Sequence, residues 1–185
     1  MFSYLPKYSF LSILGFLYSQ KGEVIMLVLM EGLVMCFVLL LICVVLIRNG
    51  AVDGVIFYED DVKKRVVELG YITEKKIKRN NAITTAALFV PLFTVVPYMV
   101  YGINGAEGFW SGFWQLTGIM WIMGLFDRLF IDWFWVEHTK AWIIPGTEDL
   151  MPYIPIKTKI GKWLGTVIGF PMMAALIAGV ASFLG

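Results

Sequence analysis

Four apolar segments, each long enough to cross a bilayer, constrain this chain more than any other feature. They cover residues 23–47, 82–101, 109–135 and 163–184. A helix needs about 20 predominantly apolar residues to cross the hydrocarbon core, and its backbone bonds are then satisfied internally. With 59% hydrophobic and only 16% charged residues, the composition lies far outside the soluble range. The sequence therefore predicts an all-α integral membrane protein with a single-domain bundle of four transmembrane helices.

The other segments predict structure around this bundle. Residues 1–20 are apolar, but their mostly apolar core is too short for a span, so we expect an interfacial or a re-entrant helix there. Residues 48–81 contain eight Lys/Arg and six Asp/Glu and predict a hairpin of two amphipathic helices. We expect these helices to separate at Gly70, with Thr73 capping the second. Residues 136–162 predict a structured loop on the same side as the hairpin.

Basic residues predict the orientation. The hairpin is rich in Lys and Arg, and the segment before the fourth span contains Lys140, Lys157, Lys159 and Lys162, whereas the loop between spans two and three contains no basic residue. Short basic loops stay in the cytoplasm. We therefore expect the hairpin and residues 136–162 in the cytoplasm and both termini outside.

Charged residues follow the third apolar segment directly. At 100° per residue one helical stripe holds Arg128, Asp132, Trp135, Thr139 and Trp142. Asp127 and His138 flank this stripe, and Trp133 points away from it. Arg128 and Asp132 have the i, i+4 spacing of an ion pair. The cluster predicts either an ion pair that holds the third helix to its neighbours or a polar cavity for an ion, a solute or a lipid headgroup.

Glu31 is an acidic residue about a third of the way into the first span. It can be neutral and hydrogen-bonded to a neighbouring helix, or it can bind a cation or relay protons. Its depth makes a direct pair with Arg128 unexpected. Cys36 and Cys43 share one helix face and are expected to pack as small apolar residues. With a single His and no Cys/His cluster, the sequence predicts no metal site and no cofactor, and its net charge of +1 gives no indication of a nucleic-acid partner.

The segment FIDWFW, followed by IIPGTE, resembles a pattern in an uncharacterised family of small bacterial multi-span membrane proteins. The matching residues are Asp132, Trp133, Pro145, Gly146, Thr147 and Glu148. Pro145-Gly146 predicts a turn, and Thr147 is expected to cap a short helix that begins at Glu148. The resemblance covers about a sixth of the chain and implies a bacterial plasma (inner) membrane and a common role for these residues, but no reaction.

These observations leave three functional hypotheses. The first is transport of ions or small solutes, by a homo-oligomer that assembles through the Gly-x-x-x-Gly pair Gly165 and Gly169. The second is a membrane-embedded enzyme or binding protein for a lipid headgroup or lipid-linked substrate. The third is an accessory or scaffold subunit with a protein partner on residues 61–79. In each case membrane lipids surround the bundle, and the predicted binding residues are Asp127, Arg128, Asp132, Trp135, His138, Thr147, Glu148 and Glu31.

Overall fold

The computed structural model describes the backbone of residues 10–184 and the side chains of residues 22–184. Over this range the chain is all-helical, without a strand. The α-helices are α1 (Phe10–Ile47), α2 (Asp60–Glu68), α3 (Glu74–Pro97), α4 (Gly108–Phe126), α5 (Ile156–Leu164) and α6 (Phe170–Leu184). π-helical turns extend α3 over Tyr98–Ile103, extend α4 over Asp127–Val136, and join α5 to α6 over Gly165–Gly169. Short 3₁₀ helices cover Ala51–Phe57 and Glu148–Leu150.

Within the described residues, three helices are long and apolar enough to cross a membrane. They cover Gly22–Ile47, Glu74–Ile103 and Ile156–Leu184. This supports the predicted membrane protein. The helix predicted as a further span, α4 with its extension over Asp127–Val136, is not among them. A fourth crossing therefore stays a prediction.

Glycines bring α4 close to α1 and to α6. A Cβ atom at Gly32 of α1 would lie 2.7 Å from a side-chain carbon of Ile122. A Cβ atom at Gly124 of α4 would lie 2.6 Å from the ring of Phe170 in α6. Such close approach is how helices pack where no hydrophobic effect drives their association. α4 is therefore the helix around which the bundle is built.

A hydrophobic cluster fills the bundle between these helices. It comprises Met35, Leu92, Val96, Val100, Ala106, Leu116, Ile119, Met120, Ala174 and Ala178. A second cluster lies at the end of the bundle where the hairpin is, and it includes Leu39 and Cys43 of α1. Residues 48–73 and 137–155 supply most of its other members, and we call these two segments together the cap. Cys36 and Cys43 are both buried and free, as expected for small apolar packing residues.

The cap follows the sequence prediction in part. α2 ends before Gly70, which has φ of +74°, and the Thr73 hydroxyl accepts a hydrogen bond from the Lys76 amide at 3.3 Å. The break and the N-cap are thus confirmed. The second amphipathic helix is continuous with the second span in α3, because no glycine or proline separates them. Likewise α1 continues without a break from Phe10, and residues 1–9 of the predicted interfacial helix lie outside the described residues.

Candidate functional site

Asp132 is the centre of an ion-pair network between the extension of α4 and α5. Its Oδ1 atom accepts a hydrogen bond from Lys162 Nζ at 2.7 Å, and its Oδ2 atom accepts one from the Arg128 guanidinium. The same guanidinium donates to Asp127. The ion pair that the spacing of Arg128 and Asp132 predicts is therefore present, and Lys162 extends it to a second helix.

A further ion pair continues this network toward the cap. Lys159 Nζ lies 2.6 Å from Glu137 Oε1. The network then holds three acidic and three basic side chains, so its formal charge is zero. Pairing of this kind lowers the cost of removing charges from water. The network can therefore lie at the boundary of an apolar bundle.

A cavity of about 290 Å³ opens beside the network, and we call it the groove. Its lining consists of Arg128, Leu129, Asp132, Trp133, Glu137, Lys159 and Trp163. Leu129, Trp133 and Trp163 are exposed, whereas Arg128 and Asp132 are largely buried. The groove thus has a charged inner wall and an apolar, aromatic rim.

A second cavity, of about 180 Å³, shares Arg128 and Asp132 with the groove. We call it the inner cavity, because Tyr58 and Trp142 of the cap line it as well. The indole N–H of Trp142 and the Nε–H of Arg128 are buried and have no hydrogen-bond partner among the described residues. Unpaired buried donors are rare in proteins and favour an acceptor in the space beside them. Arg128 and Asp132 therefore separate a groove from a chamber under the cap.

Buried hydrogen bonds fix the shape of the cap. The Tyr58 hydroxyl donates to the Trp142 carbonyl at 2.8 Å, and the Tyr58 ring stacks on Tyr153 at 4.5 Å. The Tyr153 hydroxyl accepts from the Ile144 amide at 3.2 Å and shares a 2.8 Å hydrogen bond with Thr147. Burial, and to a smaller extent the neighbouring Tyr153, raises the pKa of the Tyr58 phenol above its ordinary value. The cap is therefore an ordered cover and not a loose tether.

Of the predicted binding residues near this end, Arg128 and Asp132 line both cavities and Asp127 lines the inner cavity, whereas Trp135 and His138 line neither. Trp135 packs edge-on against Trp142, with ring centroids 5.3 Å apart. His138 is exposed, and its Nδ1 atom lies in hydrogen-bond contact with the Trp133 carbonyl. Trp135 therefore packs within the protein, and His138 contacts the backbone of its own helix.

Thr147 and Glu148 also stabilise local structure. The Thr147 hydroxyl donates to the Ile144 carbonyl at 2.8 Å and makes no capping bond to the short helix that follows. The predicted capping role is therefore wrong. Glu148 Oε2 accepts from the Gly146 amide at 2.8 Å, in a turn where Gly146 has φ of +81°. The predicted turn is confirmed, but its polar side chains bond within the cap.

The predicted helical stripe is wrong beyond Asp132. Residues Asp127–Val136 are π-helical, and a π-helix has more residues per turn than the 100° wheel assumes. Trp133 consequently lines the groove, although it was expected to point away. The helix ends at His138, so Trp142 reaches the inner cavity from the cap.

The sequence prediction missed Lys159, Lys162 and Trp163 of α5, which contribute to the ion pairs and the groove. Their i, i+3, i+4 spacing places all three on one helix face, and this spacing is the sequence pattern that could have indicated a shared site. In the sequence, the lysines indicate topology and were not predicted as site residues.

Glu31 lies at the opposite end of the bundle and is nearly buried, with 7% of its surface exposed. Asn104 Nδ2 donates to Glu31 Oε2 and to Gln115 Oε1, both at 3.0 Å. Gln115 Nε2 donates in turn to the Ser111 hydroxyl at 3.3 Å. Glu31 is therefore hydrogen-bonded to a neighbouring segment, as one of the two alternatives predicted, and it does not pair with Arg128.

Comparisons of the chain with protein-family models, with curated proteins and with solved structures find no match. Any functional proposal therefore depends on the geometry of the groove, the inner cavity and the network around Glu31.

Proposed function

We propose that the protein binds the headgroup of a membrane lipid or lipid-linked molecule in the groove. The observation that carries this proposal is the combination of a charged inner wall with an exposed rim of Leu129, Trp133 and Trp163. Only an amphiphile uses both surfaces, because its headgroup needs polar partners and its chains need apolar contact.

The proposed location of the groove supports such a ligand. Tryptophan is enriched where membranes meet water, and two tryptophans form the rim. The basic residues of the cap and of α5 favour a cytoplasmic location for this end of the bundle. We therefore propose that the groove opens toward the cytoplasmic leaflet, with α4 as the fourth span and with both termini outside.

The charge of the groove favours a zwitterionic headgroup. Arg128 and Lys159 can contact a phosphate, and Asp132 and Glu137 can contact an ammonium group. A strongly anionic headgroup would meet as many acidic as basic side chains. Because the described acids of the groove are all paired with cations, the arrangement supports binding more than acid–base catalysis.

Photo-crosslinking from two positions tests this proposal. A photoreactive amino acid replaces Leu129 at the rim of the groove, and in a matched control it replaces Met172, which is exposed on α6. Both proteins are reconstituted in vesicles that contain phosphoethanolamine and phosphoglycerol lipids in equal amounts. Ion pairs at a partly exposed site are worth about 1 kcal/mol, so we expect roughly fivefold enrichment of the phosphoethanolamine lipid at position 129.

The control at position 172 and a double variant of the groove test whether the enrichment depends on the charged wall. Position 172 should capture both lipids in proportion to the membrane. The combination Glu137→Gln with Lys159→Gln should abolish the enrichment at position 129 while the protein stays folded. Equal capture of the two lipids at position 129 in the unmodified background would rule out a selective headgroup site.

Transport is a second proposed function, and the inner cavity favours it. This chamber adjoins the groove and contains charged side chains, including Asp127 and Lys162. A buried apolar layer, with Leu116 and Ile119 in its centre, separates this end from Glu31. A pathway would therefore need a conformational change or a homo-oligomer. Gly165 and Gly169, where an added Cβ would meet no atom within 4 Å, are the proposed contact between copies.

Flux measurements and native mass spectrometry test this second function. Reconstituted protein should conduct an ion or a small solute, and leucine at both Gly165 and Gly169 should reduce flux and oligomer together. A monomeric protein without measurable flux would exclude it.

A further inference from the structure

We propose that Glu31 is a reversible proton-binding site, in which the amide of Asn104 bonds to both the charged and the neutral carboxyl group. The site lies at the opposite end of the bundle from the groove, so it is independent of the proposed lipid binding. It stands on the burial of Glu31, on the absence of a described cationic partner, and on a buried acceptor atom of Asn104 that has no partner.

Glu31 has no cation beside it among the side chains of residues 22–184. The helices that pack at this end contain no titratable side chain over Gly108–Phe126 or Phe170–Leu184. Among the side chains of residues 22–184, the titratable groups near this end are Glu23 and Cys36 of α1, Tyr98 and Tyr101 after α3, and Glu107 in the following loop. All of these are neutral or acidic, so none compensates an ionised Glu31. A buried, unpaired carboxylate in a membrane is costly, and binding a proton removes that cost.

The Asn104 amide provides a partner for each protonation state. Its Nδ2 atom donates to Glu31 Oε2 at 3.0 Å, which suits a carboxylate. Its Oδ1 atom is buried and accepts no hydrogen bond from a described residue. A protonated Glu31 would carry an O–H donor, and rotation of the Asn104 amide would bring Oδ1 to accept it. The Gln115 amide would rotate with it, so that Gln115 Nε2 donates to Asn104 Oδ1 and Ser111 donates to Gln115 Oε1. The orphaned oxygen is therefore the acceptor that the neutral state requires.

Gln115 and Ser111 connect Glu31 to the surface. Gln115 is buried and accepts from Asn104, and its own amide donates to Ser111, which is exposed. The hydrogen-bonded series from Ser111 to Glu31 is a polar path through an otherwise apolar helix end. Amide side chains do not relay protons, so the proton on Glu31 exchanges with water on the side of the loop between α3 and α4.

Carbodiimide labelling of the full-length protein tests the proposal. Dicyclohexylcarbodiimide is apolar and modifies protonated carboxyl groups, and peptide mass spectrometry locates the adduct. We expect modification of Glu31, with a rate that falls about tenfold per pH unit above the pKa of the site. The exposed Glu23 on the same helix is the matched control and should react little at any pH. Glu31→Gln should remove the adduct, whereas Glu23→Gln should keep it.

Infrared difference spectra between about pH 5 and about pH 9 give a second readout that needs no reagent. The carbonyl band of a protonated carboxyl group should appear at low pH, vanish in Glu31→Gln and persist in Glu23→Gln. Asn104→Leu should shift the pH midpoint of this band. An adduct at Glu31 whose rate does not depend on pH would indicate a permanently neutral residue and overturn the proposal. Protection by sodium chloride, but not by choline chloride, at constant pH would overturn it in favour of a metal-cation site.

Discussion

Replacement of Asp132 by asparagine should destabilise the protein by about 2–3 kcal/mol. Asparagine keeps the size of the side chain and one acceptor oxygen but removes its charge. Lys162 and Arg128 then lose the carboxylate between them, and only the Lys159–Glu137 ion pair still connects α5 to the end of this helix. The variant therefore measures how strongly the network holds the two helices together.

The magnitude follows from distance and exposure. At 2.7 Å and an effective dielectric constant of about 20, the gross attraction between Asp132 and Lys162 is about 6 kcal/mol. Desolvation and side-chain ordering offset most of it. The side chains of Arg128 and Asp132 are 10% and 12% exposed, while Lys162 keeps 27%. Breaking a buried pair costs about 3–5 kcal/mol and an exposed pair at most about 1, so an intermediate value is expected.

A double-mutant cycle isolates the pair. The variants are Asp132→Asn, Lys162→Met and their combination, unfolded reversibly in mixed micelles and followed by tryptophan fluorescence. We expect a coupling energy of about 1–2 kcal/mol between the two positions. Lys157→Met is the control, because Lys157 is exposed on the same helix. It should change the free energy of unfolding by at most about 0.5 kcal/mol.

Additive effects would refute this reasoning. If the double variant lost the sum of the two single losses within about 0.3 kcal/mol, Lys162 and Asp132 would not interact energetically. A more stable Asp132→Asn protein would likewise show that desolvation of the network exceeds its attraction.

Two further predictions concern the cap and the bundle. Tyr58→Phe leaves the buried carbonyl of Trp142 without its donor and should cost about 1–2 kcal/mol, measured by the same unfolding titration. Because burial raises the pKa of Tyr58 above 10.0, its neutral form contributes stability that is complete below pH 10 and declines at higher pH. The advantage of wild type over Tyr58→Phe should therefore shrink above about pH 10, and a constant difference would contradict a raised pKa. Gly124→Ala places a methyl group 2.6 Å from Phe170 and should cost about 1–3 kcal/mol. Gly179→Ala, whose Cβ meets no atom within 4 Å, should be neutral or stabilising, and equal losses at both positions would exclude close packing as the cause.

Local signals predicted much of the helical architecture. The apolar run after Gly22, the break at Gly70 and the hydroxyl cap at Thr73 depend on residues close together in the chain. The spacing of Arg128 and Asp132 likewise predicted their ion pair. Helix length, caps and i, i+4 contacts are set within one or two turns, so they can be read directly from the sequence.

The composition of the site could not be derived in the same way. The π-helical geometry of Asp127–Val136 turns Trp133 into the groove, and this departure from 3.6 residues per turn has no signature in the hydrophobic pattern. Lys162 reaches Asp132 across 30 positions, and Trp142 reaches the inner cavity only because the cap folds back. His138 and Thr147 were expected at the site for their chemistry, yet their bonds are local.

The sequence by itself determined the class of this protein, because long apolar helices and their polar connections follow from residue type and order alone. Only the tertiary structure decided which charges meet and where cavities form. Asp132 joins α4 to α5, and Asn104 joins Glu31 to Gln115, across distances in the chain that no local periodicity encodes. The physical reason is that buried polar groups must find partners, and the partners available depend on how the helices pack.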